Sequence, residues 1–198
     1  MEHESQKVPF IKRSSILWIV SLVAIDQVIK LFIAHFLMES QFTIVPHVFS
    51  FKTTQNIHLG WIWNMLDFMM PLYMAVAISV IAIFIIIVLY RYLKFITFDW
   101  GKYNKLPNII LIFLLAGAFC KLIDDIFWGG SLDYIQLFDW FIFDLKDVYL
   151  TTIAMPVLAY FVIAYEIHLH KLPKEERRKV KKKQRFWHWA KLGFPVES

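Results

Sequence analysis

The sequence predicts an all-α membrane protein with four transmembrane helices and a small extracytoplasmic β-sheet cradle. Three observations lead to this fold class: the composition, four long apolar segments, and the uneven placement of Lys and Arg between those segments. Of the 198 residues, 59% are hydrophobic and only 19% are charged. A soluble core of this size could not bury so much apolar surface, so lipid must cover the excess.

Four segments are long enough to cross a bilayer, because a helix needs roughly 20 apolar residues to span its hydrocarbon core. They are residues 15–37, 70–92, 107–128 and 148–168. Pro107 suits the first turn of its helix, where no backbone N–H is needed. Pro156 lies inside the fourth segment and predicts a kink unless a neighbour satisfies the freed carbonyl group.

The orientation follows from the rule that short segments rich in Lys and Arg stay in the cytoplasm. Residues 1–14, the connection between the second and third spans, and the tail at residues 169–198 are basic, whereas residues 38–69 and 129–147 contain one Lys each. The sequence therefore predicts cytoplasmic termini, a four-span domain over residues 15–168, and two loops that face outward.

The segments outside the spans also carry information. Residues 38–69 are rich in β-branched and aromatic residues with partial alternation, which predicts short strands on the outer membrane surface. The basic tail mixes cations with Phe186, Trp187 and Trp189, so we expect it to lie along the inner interface against anionic lipid. Because the sequence contains no nucleic-acid motif, membrane lipid is the expected partner of the tail.

Ionisable side chains inside a span cost several kcal/mol unless a partner or a polar cavity compensates them. Asp26 and Lys30 lie four residues apart in the first span, which predicts an ion pair with the Lys30 ammonium extending outward. Lys121 and Asp125 have the same spacing near the end of the third span, so they can also pair.

Two further acids, Asp124 and Asp147, are expected at nearly the same depth. The third span runs outward, and at 1.5 Å per residue Asp124 lies about 25 Å from the inner surface. Asp147 opens the fourth span, which runs back inward. The two carboxylates can therefore converge just beneath the outer surface, although they can also be two ordinary interfacial acids at helix ends.

A convergent pair of carboxylates in a site of low dielectric holds a single proton near neutral pH. The ionised member can take a proton from water as the water attacks a peptide carbonyl, while the protonated member donates to the carbonyl oxygen. No metal is expected, because neither an HExxH nor a DxDxD spacing is present.

Four blocks of the sequence resemble the bacterial lipoprotein signal peptidase (signal peptidase II) family. The segment CKLIDDIFWGGSLDYI resembles the family block G-N-x-x-D-R-x-x-x-G-x-x-x-D-F through Asp124, Gly129, Asp133 and Tyr134. FIFDLKDVYLTT resembles F-N-x-A-D through Asp147, DQVIK resembles D-Q-x-x-K, and TTQNIHLGW resembles R-N-x-G-A-A-F through Asn56. The blocks occur in family order over roughly residues 15–168.

The resemblance implies an intramembrane aspartic endopeptidase of the bacterial cytoplasmic (inner) membrane. It would remove signal peptides from lipid-modified prolipoproteins at the outer leaflet, without a cofactor, and we expect a monomer. Asp124 and Asp147 are the expected catalytic residues. The expected substrate-binding or supporting residues around them are Asn56, Lys121, Asp125 and Asp144. Asn56 can contact the substrate backbone or cap a turn, and Asp133 is expected to order its loop through backbone hydrogen bonds.

The polar residues around the expected catalytic pair depart from the family pattern. Lys121 and Asp125 stand where the family has Asn and Arg, and Asp144 and Lys146 stand where it has Asn and Ala. A cation at either position would favour ionisation of nearby aspartates and disturb the sharing of one proton. A second function therefore stays open, a catalytically impaired paralogue that binds or escorts lipoproteins or membrane peptides. A transporter subunit is less favoured, because the charges do not outline a path through the membrane.

Overall fold

The structure is a computed structural model that describes residues 11–57, 70–97, 105–138 and 140–194. Within these residues, four helices are long and apolar enough to cross a membrane. The first two are α1 (Arg13–Phe36) and α2 (Leu72–Ile96). The third span is α3 (Leu106–Ile123) continued by a wider π-helical turn, Asp124–Trp128. The fourth consists of the helical turn Leu145–Asp147, the π-helical segment Val148–Ala154 and α4 (Met155–Lys171).

A four-stranded antiparallel sheet joins the loops that follow α1 and the third span. Its strands, in the order β1-β2-β3-β4, are β1 (Gln41–Val45), β2 (Phe49–Asn56), β3 (Ser131–Leu137) and β4 (Phe141–Phe143). The predicted fold class is therefore confirmed. The rest of the expected cradle, residues 58–69, lies outside the described residues. Half of the sheet comes from residues 131–143, which the sequence analysis treated as a loop.

The third span lies at the centre of the helices. In its most apolar window 44% of the residues are buried, compared with 22%, 11% and 17% in the first, second and fourth spans. α3 contributes Leu111 and Leu115 to a core cluster with Ile19 of α1 and Tyr90 of α2. Large apolar side chains such as Leu17 and Phe84 point away from the protein, as expected of a surface that contacts lipid.

The irregularity expected at Pro156 takes the form of the π-helical segment Val148–Ala154 before it. The N–H of Met155 bonds the carbonyl of Leu150, five residues earlier. This wider turn shifts the hydrogen-bond register immediately before the proline. Pro156 then lies in the first turn of α4, where its missing backbone N–H needs no partner.

The basic tail folds into two further helices, α5 (Lys174–Lys183) and α6 (Phe186–Lys191). It is anchored to the transmembrane bundle. Trp189 is completely buried in a cluster with Leu93 and Ile96 of α2 and Phe161 of α4. Gln184, between the two helices, accepts hydrogen bonds from Tyr92 Oη at 2.8 Å and from Tyr165 Oη at 2.9 Å. The tail therefore packs at the end of the bundle opposite the sheet.

Gly117 allows the third and fourth spans to approach closely. A Cβ atom built on Gly117 would lie 2.5 Å from Cγ of Leu150, well inside van der Waals contact. A larger residue at this position would push Leu150 off its rotamer or move the π-helical segment that carries it.

We expect Gly117→Ala to lower the stability of the protein by about 1–3 kcal/mol, the usual cost of overpacking. The measurement is thermal unfolding in detergent. The matched control is Gly117→Ala/Leu150→Ala, in which the truncated Leu150 leaves room for the added methyl group, so the two changes should be non-additive. Equal losses from Gly117→Ala in both backgrounds would contradict the packing described here.

Candidate functional site

The centre of the charged cluster is the ammonium group of Lys30, which is completely buried. It lies 3.0 Å from Asp26, 2.7 Å from Asp124 and 2.7 Å from Asp144. The predicted ion pair with Asp26 is confirmed. The prediction that Lys30 extends outward is wrong, because carboxylates of the third span and of the β4 connection hold the ammonium inside the protein.

Asp124 is completely buried, at the start of the π-helical turn. Both of its carboxylate oxygens accept hydrogen bonds from Lys30, at 2.8 and 2.7 Å. Gln27 Nε2 and the Ser131 hydroxyl lie 3.3 Å from its oxygens, and Lys146 lies at 3.3 Å. Protein donors, above all the Lys30 ammonium, thus take up much of the hydrogen-bonding capacity of Asp124.

A second group of acids lies beside this ion pair. Carboxylate oxygens of Asp133, Asp144 and Asp147 all lie within 4.8 Å of one another. Asp133 is contributed by β3, and the other two come from the start of the fourth span. Asp124, which the sequence analysis paired with Asp147, is not a member of this group.

Asp144 and Asp147 hold each other through the backbone. Asp144 Oδ1 accepts from the N–H of Asp147 at 3.3 Å, and Asp147 Oδ2 accepts from the N–H of Asp144 at 3.4 Å. This reciprocal arrangement is a capping box at the beginning of the fourth span. It fixes the position of the Asp147 carboxylate relative to β4.

Ser131 connects the two groups of acids. Its hydroxyl lies 2.7 Å from Asp133, 3.2 Å from Asp144 and 3.3 Å from Asp124, and it also accepts a hydrogen bond from Lys146. A hydroxyl has one proton to donate, and the shortest distance assigns that proton to Asp133. Ser131 was not among the predicted site residues.

Lys146 is the second buried cation of the site. Its ammonium group lies 2.5 Å from Asp144, 3.3 Å from Asp124 and 3.7 Å from Asp133. Three close carboxylates could otherwise attract a divalent cation, but here this ammonium already supplies positive charge to Asp133 and Asp144. We therefore assign no metal to them.

Two acids of the cluster, Asp133 and Asp144, lie outside the membrane-spanning segments and have opposite electrostatic environments. Burial raises the pKa of Asp133 to about 6, although the ammonium of Lys146 acts in the other direction. Burial also acts to raise the pKa of Asp144, but Lys146 and Lys30 hold that pKa below its ordinary value. Asp133 can therefore carry a proton near neutral pH, whereas Asp144 is ionised.

The predicted pair Lys121–Asp125 is present, and it lies away from these acids. Ser79 of α2 donates to Asp125 at 3.4 Å. Lys121 and Ser79 line a cavity of about 230 Å³ whose other walls are mostly apolar, including Ala75, Ala118 and Leu150. The cavity lies between α2 and the third and fourth spans, and none of the carboxylates of Asp124, Asp133 or Asp147 lines it.

Asn56 ends β2 and is the register partner of Ser131 in β3. Its Oδ1 atom is buried and has no hydrogen-bond partner among the described residues. A Cβ atom on the neighbouring Gly130 would come within 2.5 Å of the Asn56 carbonyl oxygen, and φ at Gly130 is +145°. Glycine at position 130 thus allows the two strands to meet at the edge of the charged cluster.

Gln27 and Ser131 were not predicted as members of the site, whereas Lys146 was expected only as a cation near the aspartates. Trp128 Nε1 donates to Gln27 Oε1 at 3.0 Å, and Gln27 Nε2 lies 3.0 Å from Asp26. Strand alternation could have revealed Ser131, because residues two apart share a face and Ser131 stands two positions before Asp133.

The fold and the site together define a membrane protein with a buried carboxylate cluster at one end of its four spans. A family model described as signal peptidase (SPase) II matches residues 18–164. The chain therefore belongs to the signal peptidase II family, a family of membrane aspartic peptidases that process lipoprotein signal peptides.

Two solved structures, both described as bacterial membrane enzymes determined by the in meso method, share the fold. One has a TM-score of 0.61 at 24% identity and covers 81% of this chain and 93% of its own. The other has a TM-score of 0.51 at 23% identity and covers 77% and 92%, respectively. No curated protein sequence matches the chain significantly.

We expect Lys30→Met to destabilise the protein strongly, by about 3–5 kcal/mol, because the buried carboxylates of Asp26, Asp124 and Asp144 would lose a shared cation. The measurement is thermal unfolding in detergent. The matched control is Lys181→Met, which removes a half-exposed cation 3.5 Å from Glu166 and should cost at most about 1 kcal/mol. Similar losses in both variants would show that Lys30 does not organise the site.

Proposed function

We propose that the protein is an active aspartic endopeptidase whose catalytic pair is Asp133 and Asp147. It would remove signal peptides from lipid-modified precursor proteins at the outer leaflet. The observation that carries the proposal is the distance of at most 4.8 Å between carboxylate oxygens of these residues, with burial raising the pKa of Asp133 to about 6. Asp147 is thus a proposed catalytic residue, as predicted from the sequence, and Asp133 takes the place of the predicted Asp124.

Three facts favour Asp133 over Asp124 as the partner of Asp147. Both oxygens of Asp124 are bonded to a fully buried ammonium group, so Asp124 has little capacity left to activate water. Asp133 accepts a hydrogen bond from Ser131, and burial raises its pKa to about 6, so it takes up a proton more readily than an ordinary aspartate. Asp133 also belongs to the group of carboxylates that contains Asp147, whereas Asp124 does not.

In the proposed mechanism Asp133 and Asp147 share one proton. The ionised carboxylate takes a proton from water as the water attacks the scissile carbonyl, and the protonated carboxyl donates to the carbonyl oxygen. As the tetrahedral intermediate collapses and its C–N bond breaks, one carboxyl donates its proton to the leaving nitrogen. The other carboxylate takes a proton from a hydroxyl of the intermediate, so the pair again holds one proton. Ser131 positions Asp133, and the capping box with Asp144 positions Asp147.

The surroundings of the pair suggest how a substrate would bind. Asn56 Oδ1 is a buried acceptor without a partner among the described residues, so it is available to a peptide N–H of the substrate. The apolar cavity beside Lys121 and Asp125 would accommodate an apolar part of the precursor. These roles keep Asn56, Lys121, Asp125 and Asp144 as supporting residues.

We further propose that the sheet faces the outside of the cytoplasmic membrane and that both termini are cytoplasmic. The placement of Lys and Arg supports this orientation. The exposed cations of α5 and the exposed ring of Trp187 in α6 fit contact with anionic headgroups at the inner surface. We propose that the protein works as a monomer.

The central experiment measures cleavage of a lipid-modified precursor with a tagged signal peptide, by purified protein in nanodiscs. We expect Asp133→Asn and Asp147→Asn to lose cleavage by at least about 100-fold, since each removes a group that transfers protons. Asp124→Asn should mainly lower thermal stability, and its folded fraction should still cleave. Thermal unfolding of each variant separates lost chemistry from lost folding.

Two outcomes would contradict the proposal. Cleavage by Asp133→Asn, together with its loss in folded Asp124→Asn and Asp147→Asn, would restore Asp124 as the second catalytic residue. Binding of the precursor by the wild-type protein without cleavage, under conditions where another family member cleaves, would favour the alternative of a non-catalytic paralogue that binds lipoproteins.

The orientation predicts the labelling of single cysteines by a membrane-impermeant maleimide in intact cells, in a Cys120→Ala background. Ile44→Cys on β1 is exposed and should react from outside. Lys182→Cys on α5 is exposed and should react only after the cells are opened. Reaction of both, or of Lys182→Cys alone, in intact cells would overturn the orientation.

A further inference from the structure

The ammonium group of Lys146 lies beside Asp133, one of the two acids proposed to share a proton. Its side chain is only 5% exposed and lies 3.7 Å from a carboxylate oxygen of Asp133. Among the residues that the structure describes, no other cation forms an ion pair with Asp133. Lys30, the other buried cation of the cluster, forms ion pairs with Asp26, Asp124 and Asp144.

Charged and titratable groups face Lys146 from every element that packs around it. They are Lys30 on α1, Asp124 in the third span, Asp133 on β3, and Asp144 and Asp147 at the start of the fourth span. Tyr134, Tyr149 and Asp26 interact with Asp144, the nearest of these groups. Asp144 is the nearest at 2.5 Å. It therefore balances much of the charge of Lys146, but it leaves the contact with Asp133 in place.

We propose that Lys146 is a positioning residue that sets the pH range of the reaction, because its charge favours the state in which Asp133 and Asp147 are both ionised. This inference rests on the proposed function. A pair that must hold one proton loses activity at high pH when that proton dissociates. A cation beside the pair stabilises the proton-free state and lowers the pH at which activity is lost.

The charges of Asp144 and Lys146 have opposite effects on the proton that Asp133 and Asp147 share. Lys146 lowers the pKa of Asp133, whereas the charge of Asp144 raises it. Removing Lys146 alone should move the alkaline limit of activity upward, because the negative charge of Asp144 is left unbalanced. Removing both residues should return the limit toward that of the wild-type protein.

The experiment compares pH profiles of precursor cleavage in nanodiscs. We expect the alkaline limit of Lys146→Met to lie at least about one pH unit above that of the wild-type protein, the usual effect of an adjacent opposite charge. Lys146→Arg keeps the charge and should restore the wild-type limit. Asp144→Asn/Lys146→Met should fall between the wild-type protein and Lys146→Met, and the distant Lys181→Met should leave the limit unchanged.

A second measurement does not depend on cleavage. The infrared carbonyl band of the protonated Asp133 carboxyl, assigned by its loss in Asp133→Asn, is followed against pH in the wild-type and Lys146→Met proteins. The band should persist to higher pH in Lys146→Met. If that variant does not fold, the same comparison is made between Asp144→Asn and Asp144→Asn/Lys146→Met, with thermal unfolding as the check of folding.

An unchanged alkaline limit together with an unchanged Asp133 band in a folded variant would overturn the role of Lys146. Full cleavage by both Asp133→Asn and Asp147→Asn would instead overturn the proposed catalytic pair. The band of Asp133 would still report whether Lys146 controls its protonation, so failure of this inference and failure of the proposed function can be told apart.

Discussion

The charged end of this protein depends on one buried ammonium group, that of Lys30. It comes from α1 and reaches carboxylates of the third span and of the connection into the fourth. Helices in lipid gain little from apolar contact with one another, because the lipid tails are equally apolar. An ionic contact that joins three segments of the chain therefore aligns the spans. It also takes up much of the hydrogen-bonding capacity of Asp124, which supports Asp133 as the proposed catalytic partner of Asp147.

The sheet completes the site from the opposite side. β3 places Ser131 and Asp133 on one face, whereas Leu132 and Tyr134 lie on the other, where they pack with Ile33 and Phe51. The apolar face fixes the register of the strand, because a shift by one residue would turn Asp133 away from the acids. Packing of the sheet on α1 thus positions a carboxylate against the start of the fourth span.

The charged residues that depart from the family pattern form ion pairs with one another. Lys121 bonds Asp125, and Lys146 bonds Asp144, so each added charge meets an opposite one. A buried charge without a partner would be strongly destabilising, and paired exchange avoids that cost. Lys146 also contacts Asp133, so this departure from the family pattern affects the proposed catalytic pair. The ion pair Lys121–Asp125 instead borders the apolar cavity.

The sequence by itself determined the four spans and the ion pairs Asp26–Lys30 and Lys121–Asp125, because hydropathy and helical spacing are local properties. It also showed that Asp147 opens the fourth span. Only the tertiary structure decided which acid lies beside Asp147. Asp124 and Asp133 both lie in the block CKLIDDIFWGGSLDYI. The difference between them arises from the π-helical turn, the pairing of β3 with β2 and the direction of the Lys30 side chain. These are contacts between segments distant in sequence, which no local pattern records.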